Sequence, residues 1–157
     1  MAVYMKVIGI DGGVTQSSHP KWIQVNSVEM PVVRPGVNTT PGKVVDRLRS
    51  AVDFEDITLR KDGDISSGHL MKWMINGEAK EVIIHFCKEK GDTILEVKLH
   101  NTLLTNYRYS MRADDPLEEE LKLDFTKVEM IYTSYDAKNT KMKPFPVGYD
   151  LATAAAM

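Results

Sequence analysis

Residues 118–139 change the phase of their own hydrophobic alternation, and that change restricts the chain to few folds. Leu121, Leu123 and Phe125 alternate with Lys122, Asp124 and Thr126. This is the period of a strand with one face buried and one face wet. Beyond them the apolar members are Val128, Met130 and Tyr132, at even numbers in place of odd. A strand keeps its faces unless a residue is inserted. The pattern therefore predicts a bulge or sharp bend near Thr126–Lys127, where the strand crosses between sheets or turns a barrel corner. Ile23–Val33 behaves alike: Ile23 and Val25 are odd, while Val28, Met30 and Val32 are even. That places a second bulge near Asn26–Ser27, and Pro31 marks a strand end or exposed edge. A long bent strand of this kind suits a closed or nearly closed β structure.

Strands dominate the rest of the chain. Ala2–Ile10 is one, ended by Asp11-Gly12-Gly13, and Phe54–Lys61 is another. Glu81–Lys88 and Thr93–Leu104 form a hairpin around Gly91-Asp92, with Leu95, Val97 and Leu99 alternating with Glu96, Lys98 and His100. Asn106–Arg112 reads as a further strand and Ala113–Leu117 as an acidic turn. One helix is expected over Ser67–Asn76: Ser66-Ser67 offers an N-cap and Gly77 a C′ stop. Its inward stripe is Leu70, Met71, Met74 and Ile75. Residues 34–42 have turn chemistry without periodicity and read as a long loop. The fold class expected is mainly β: a partly open barrel or two packed sheets, one flanking helix and a long extended loop. Residues 1–139 make one domain. The tail 140–157 has lost the pattern and is either a mobile extension or a piece laid over a neighbour.

Composition removes several function classes. The net charge of −2 supplies no basic field to gather nucleic acid. Basic residues do not interleave with aromatics as a single-strand platform requires. The single cysteine, Cys87, permits no internal disulfide and lies in an apolar run, where it reads as a small core residue. No apolar run approaches the about 18 residues of a membrane span, so membrane insertion is not expected. Lys6 precedes only a short, glycine-broken apolar stretch, a poor secretory leader. The expectation is a protein made in the cytoplasm and, if exported, exported without a cleaved leader.

Catalytic and metal chemistry find no home in the pattern. Gly9, Gly12 and Gly13 follow a strand as a phosphate loop would, but no helix pattern and no Lys-Ser/Thr pair complete it. The histidines His19, His69, His85 and His100 show no zinc-site spacing. His85 and Cys87 share a strand face, and a metal there would need ligands from elsewhere. His19, beside Pro20 and Trp22, reads as a loop-fixing hydrogen-bonding residue. The acids Asp114, Asp115, Glu118, Glu119 and Glu120 lack the alternation and central glycine of a calcium loop and read as a solvated turn. No serine sits in a glycine-flanked elbow. No enzyme, cofactor or metal is expected.

Assembly is the better question. Trp73 falls beside the helix's inward stripe, as a core residue or as a half-exposed partner contact. Loops as long as residues 34–43 tend to be functional or disordered. The edges of an open barrel must be paired or blunted, and pairing them head to tail in a circle of identical copies does so.

The run Phe125-Thr126-Lys127-Val128-Glu129-Met130-Ile131-Tyr132-Thr133-Ser134-Tyr135-Asp136 resembles the closing strand of the Hcp family, the haemolysin-coregulated proteins that build the inner tube of type VI secretion systems. Ser134 stands where proline is usual. His19-Pro20-Lys21-Trp22-Ile23 resembles the family's His-x-x-Trp-Ile start of the second strand. Ile57–Lys61, Ser66-Ser67 and Leu70-Met71 resemble the strand that leads into its helix. The resemblance spans roughly residues 1–139. It implies hexameric rings that stack into a tube, partner sheath and spike proteins, small effectors in the lumen, and release when the apparatus fires. It places Arg34, Val37, Asn38, Thr39 and Lys43 in a loop that reaches an adjacent ring or subunit, His19 and Trp22 on a ring-face turn, and Trp73 near subunit contacts. A phage or other contractile tail-tube protein, or a monomeric ligand-binding barrel, are the alternatives.

Overall fold

The computed structural model describes residues 1–35, 41, 51–89 and 91–157. Twelve strands and one helix are formed among them: β1 (Ala2–Val7), β2 (Ile23–Val25), β3 (Ser27–Glu29), β4 (Val32–Val33), β5 (Asp53–Phe54), β6 (Ile57–Asp62), α1 (Ser67–Asn76), β7 (Lys80–Cys87), β8 (Thr93–Ser110), β9 (Glu118–Asp124), β10 (Lys127–Tyr132), β11 (Phe145–Asp150) and β12 (Ala155–Ala156). The large sheet has the order β12-β11-β10-β8-β7-β1-β2, and every pairing in it is antiparallel. The smaller sheet runs β3-β6-β9-β8. Strands β4 and β5 form a separate two-stranded pair. Among the described residues the two sheets pack face to face without closing into a barrel.

Three corners join them. The first is Asn26, between β2 in the large sheet and β3 in the small one, where its N–H bonds Arg60 O at 2.7 Å. The second lies inside β8. Its first half pairs with β7 and β10, and its second half, from Leu103, pairs with β9. The third is Phe125–Thr126, between β9 and β10. Two of the three stand where the alternation in the sequence changes phase. The pieces reading as separate strands, Thr93–Leu104 and Asn106–Arg112, are one strand of 18 residues. It bends at Asn101, whose φ of 53° is left-handed, and the register shifts between Leu104 and Asn106. The reverse occurs twice: Ile23–Val33 is three short strands, and Phe54–Lys61 is interrupted at Glu55–Asp56.

The corners turn both alternating patterns toward one interior. Leu121, Leu123 and Phe125 enter it from one sheet; Val128, Met130, Val97, Leu99, Val82, Ile84, Met5 and Val7 enter from the other. The helix closes this core with Leu70 and Trp73. Met71 and Met74 are half-buried, but Ile75, expected on the inward stripe, is 74% exposed. Tyr132, expected among the buried even-numbered residues, is 44% exposed. The segment after Asn139 also differs from its reading as patternless. Phe145–Asp150 pairs along the whole of β10, and β12 folds back on β11. The carbonyl of Thr126 accepts from Leu151 N–H at 2.8 Å, which ties this tail to the third corner.

The Asn101 corner yields a test. Its side chain is exposed, so a substitution there acts through the backbone. Asn101→Val puts a β-branched residue in the left-handed region and should lower unfolding free energy by about 1–2 kcal/mol in urea titrations. Asn101→Gly should leave it unchanged or raise it slightly.

Candidate assembly surface

The large sheet extends past β8 as a wing made of β10, β11 and β12. Register places Val128, Met130 and Tyr132 beside Tyr149, Val147 and Phe145, all on the core-side face. Exposure rises along both strands. On β10 it goes from 0% at Val128 through 7% at Met130 to 44% at Tyr132. On β11, Tyr149 is half-buried against Phe54 of β5 (ring centroids 5.4 Å), Val147 is 39% exposed and Phe145 is 67% exposed. The wing therefore carries an apolar face that its own small sheet leaves uncovered at one end. Scattered exposed apolar residues are ordinary; three adjacent large ones on paired strands make this the candidate surface.

Prolines shape the margin of this wing. Pro146 pairs with Ile131 in register and offers no N–H, and Pro144 precedes the strand. Both limit the outer edge of β11 as a template for indiscriminate strand addition. At the opposite margin β2 pairs with β1 alone in the large sheet, and β3 closes the small sheet. The wet face of the large sheet is charged. His100 spans three strands, with Nε2 2.9 Å from Glu129 and Nδ1 3.3 Å from Glu81. The hydrogen bond to His100 holds the Glu129 carboxyl below its usual range.

The loop of residues 11–22 folds over this wet face at β1 and β7. Gly12 permits it, because a Cβ there would lie 2.3 Å from Trp22 O. Gly91 in the β7–β8 turn (φ 85°) admits Ser18 and Gln16 against it in the same way, since a Cβ would stand 2.6 Å from Ser18 Oγ. His19 is buried, as a loop-fixing residue should be. Its ring stacks on Tyr4 at 4.7 Å and meets Trp22 edge-on at 4.8 Å. The strand face shared by His85 and Cys87 receives it: His19 Nε2 lies 2.8 Å from His85 Nδ1 and 3.8 Å from Cys87 Sγ. Burial, then the neighbouring His85, lowers the His19 pKa. Burial raises that of Cys87. Among the described residues no group of three or more His, Cys, Asp or Glu side chains is placed to hold a metal ion.

A second polar cluster sits where β6 enters the helix. Lys61 and Glu119, both fully buried, form an ion pair. Lys61 Nζ also reaches Asp64 at 3.1 Å and Asp62 O at 2.9 Å. Tyr107 donates to the other oxygen of Glu119. Burial first, then this acidic partner, raises the Tyr107 pKa well above its ordinary value. The helix start differs from the cap expected in the sequence. Ser66 is the N-cap residue, but its side chain bonds no helix N–H and donates to Asp64 instead. Gly77 ends the helix at φ 67° as expected. Of the acids read as a solvated turn, Glu119 is thus in the core, and Glu120 pairs with Arg60 at 3.4 Å and Arg108 at 3.5 Å. The alternation Glu119, Leu121, Leu123, Phe125 contained this signal, because the odd-numbered face is the buried one.

The residues singled out in the sequence do not form one patch. Trp73 is a core residue, 3% exposed, with its indole N–H donated to Glu78 O; it cannot face a partner. His19 is likewise inside, while Trp22 is half-buried beside His85. Arg34 is exposed directly after β4. Val37, Asn38, Thr39 and Lys43 lie outside the described residues. Phe145 and Val147 escaped sequence reasoning because the tail has no alternation around its two prolines.

The family model described as "Type VI secretion system effector, Hcp" matches residues 4–132. The chain belongs to the Hcp family. That family comprises effectors and tube proteins of type VI secretion and is not a known enzyme family. Solved structures share the fold of this Hcp-family chain. One is described as the structure of a type six secretion system protein, with TM-score 0.90, 17% identity and 99% of each chain covered. Hcp1 from Salmonella typhimurium gives TM-score 0.80 at 18% identity, over 99% of this chain and 98% of that one. A type VI secretion system effector from Yersinia pestis gives 0.75 at 18% identity, over 94% and 98%. A search of curated proteins found no match. Among the described residues no helix is long and apolar enough to cross a membrane.

The Lys61–Glu119 pair can be tested for what it contributes. Lys61→Met leaves a carboxylate buried without its cation and should cost about 3–5 kcal/mol in urea unfolding. Adding Glu119→Leu to that variant should recover most of the loss.

Proposed function

We propose that this chain is a ring-forming subunit of a type VI secretion inner tube. Six copies close head to tail into a ring, rings stack into a tube, and small effector proteins travel in the lumen. It is assembled in the bacterial cytoplasm beside the sheath and spike proteins and leaves the cell when the apparatus fires. No bond-making step is involved.

The observation that carries this reading is the uncovered apolar face of Tyr132, Phe145 and Val147 at one margin of the large sheet, in a chain of the Hcp family. A closed ring requires each copy to offer two different surfaces, and the two margins of this sheet differ in chemistry. One is the apolar wing with its prolines; the other is the short strand β2 with the loop of residues 11–22 beside it. Burying the wing face against the next copy removes from water what remains exposed of three apolar side chains, so each contributes less than the about 1.5–3 kcal/mol of a fully exposed one. The segment holding Arg34, Val37, Asn38, Thr39 and Lys43 is assigned to contacts between rings, with the turn containing Trp22 on a ring face.

Light scattering of the purified protein, with electron microscopy of the same sample, should show hexameric rings. Phe145→Glu should yield folded monomers at the same concentration. A wild-type protein that stays monomeric at high concentration would remove the proposal. Substitutions at Val37, Asn38 or Lys43 should leave rings intact and shorten or abolish stacks; unaltered stacking in these variants would undo the loop's assignment.

A further inference from the structure

Two imidazoles fasten the loop of residues 11–22 to the large sheet, and assembly as described above makes no use of them. The loop's backbone hydrogen bonds close within itself: Gly12 N to Lys21 O, Val14 N to Trp22 O, Lys21 N to Val14 O and His19 N to Gln16 O. Its attachment to the wet face of the sheet is therefore made by side chains, and His19 is central. On one side His19 Nδ1 is 2.8 Å from Ser18 Oγ. On the other, Nε2 is 2.8 Å from His85 Nδ1, and His85 Nε2 is 2.6 Å from Glu96 Oε2. The groups facing the two rings come from four elements. They are Tyr4 of β1, Ser18 and Trp22 of the loop, Cys87 of β7, and Thr93 (3.4 Å from His85 Nδ1) and Glu96 of β8. Lys98 lies 3.4 Å behind Glu96, and Asp92 acts on the Cys87 thiol.

The 2.8 Å gap between the two ring nitrogens holds one hydrogen. With both rings neutral, one N–H donates across it. With one positive charge, the charged ring keeps both N–H groups, and His85 in that state donates to His19 and Glu96 together. A second proton sets N–H against N–H and two like charges side by side, with His19 buried. The contact cannot survive that state.

We propose that the His19–His85 pair is an acid-sensitive latch, which holds the 11–22 loop on the sheet at neutral pH and releases it when both imidazoles are protonated. The direction follows from linkage. Burial and His85 lower the His19 pKa in the latched loop, so the released loop binds more protons once pH falls below the ordinary imidazole value of about 6.5. Latching is complete above that value and is lost progressively as pH falls toward the lowered one. An effect on ring stacking would rest on the tube reading, which places this loop on a ring face; loop release does not.

Hydrogen exchange of the full chain tests the latch, with rates at pH 7.5, 6.0 and 5.0 corrected for intrinsic exchange. Protection of peptides covering residues 11–22 should fall at least tenfold between pH 7.5 and 5.0, reversibly, while β10 peptides keep theirs. His85→Gln keeps a hydrogen-bonding side chain opposite His19 but cannot set a second positive charge beside it, and should weaken the pH dependence of loop protection. His19→Gln serves the same purpose if circular dichroism shows that the first variant is unfolded. Equal protection of the wild-type loop at all three pH values would overturn the latch, as would a folded variant with the wild-type profile. Light scattering on the same samples reads assembly separately: a monomer at every pH removes the tube reading and leaves the exchange result to decide the latch.

Discussion

The crossing of strands between two sheets is the constraint on which the rest of this structure depends. Two of the three corners are bonded to each other: Thr126 N–H donates to His100 O at 3.2 Å, next to Asn101, where β8 bends. That contact lets β9 and the second half of β8 form one sheet while β10 and the first half of β8 form the other. Without a bend at both places, the odd-numbered apolar set of β9 and the even-numbered set of β10 would face opposite sides. One of them would lie in water. The wing of β10 and β11 follows from the same corner, because it starts where Thr126 redirects the chain and is tied there again by Leu151.

The interior is not wholly apolar, and its polar parts stand at junctions. Lys61, Glu119, Asp64 and Tyr107 meet where β6, β8 and β9 approach the helix. A buried ion pair is weak evidence for stability, because the cost of taking both charges out of water offsets their attraction. The histidine pair sits on the wet face, orienting a loop whose backbone makes its bonds internally. Both clusters contrast with the outer end of the wing, where Tyr132, Phe145 and Val147 stay exposed.

The legible elements were those set by local pattern. The phase change after Phe125 located the third corner, and that after Val25 the first, because a two-residue period cannot shift without a bulge. Gly77 marked the helix end, since it alone meets a left-handed C-cap without strain. The face of the helix was less legible. Leu70, Trp73 and Met74 face the core, but Ile75 is apolar too, and periodicity over ten residues did not separate it from the stripe. The bend inside β8 gave only a gap in alternation, and so read as two strands. Trp73 and His19 are large and amphipathic enough to suit either an exposed or a buried site, and packing put Trp73 in the core and His19 beneath its own loop on the wet face. Strand β11 was hidden by Pro144 and Pro146, which speak against a central strand and are compatible with an edge.

By itself the amino-acid sequence determined a mainly β chain with bent strands and one helix, and its ordered motifs were enough to indicate the Hcp family. Those properties reside in period, turn chemistry and residue order, which are local. Only the tertiary structure decided which apolar residues are left uncovered, that Glu119 meets Lys61 across two strands, and that His19 finds His85 66 residues away. The physical reason is that burial and pairing depend on which distant segments the corners bring together. The same leucine or tyrosine is core or contact surface according to whether the opposite sheet reaches over it.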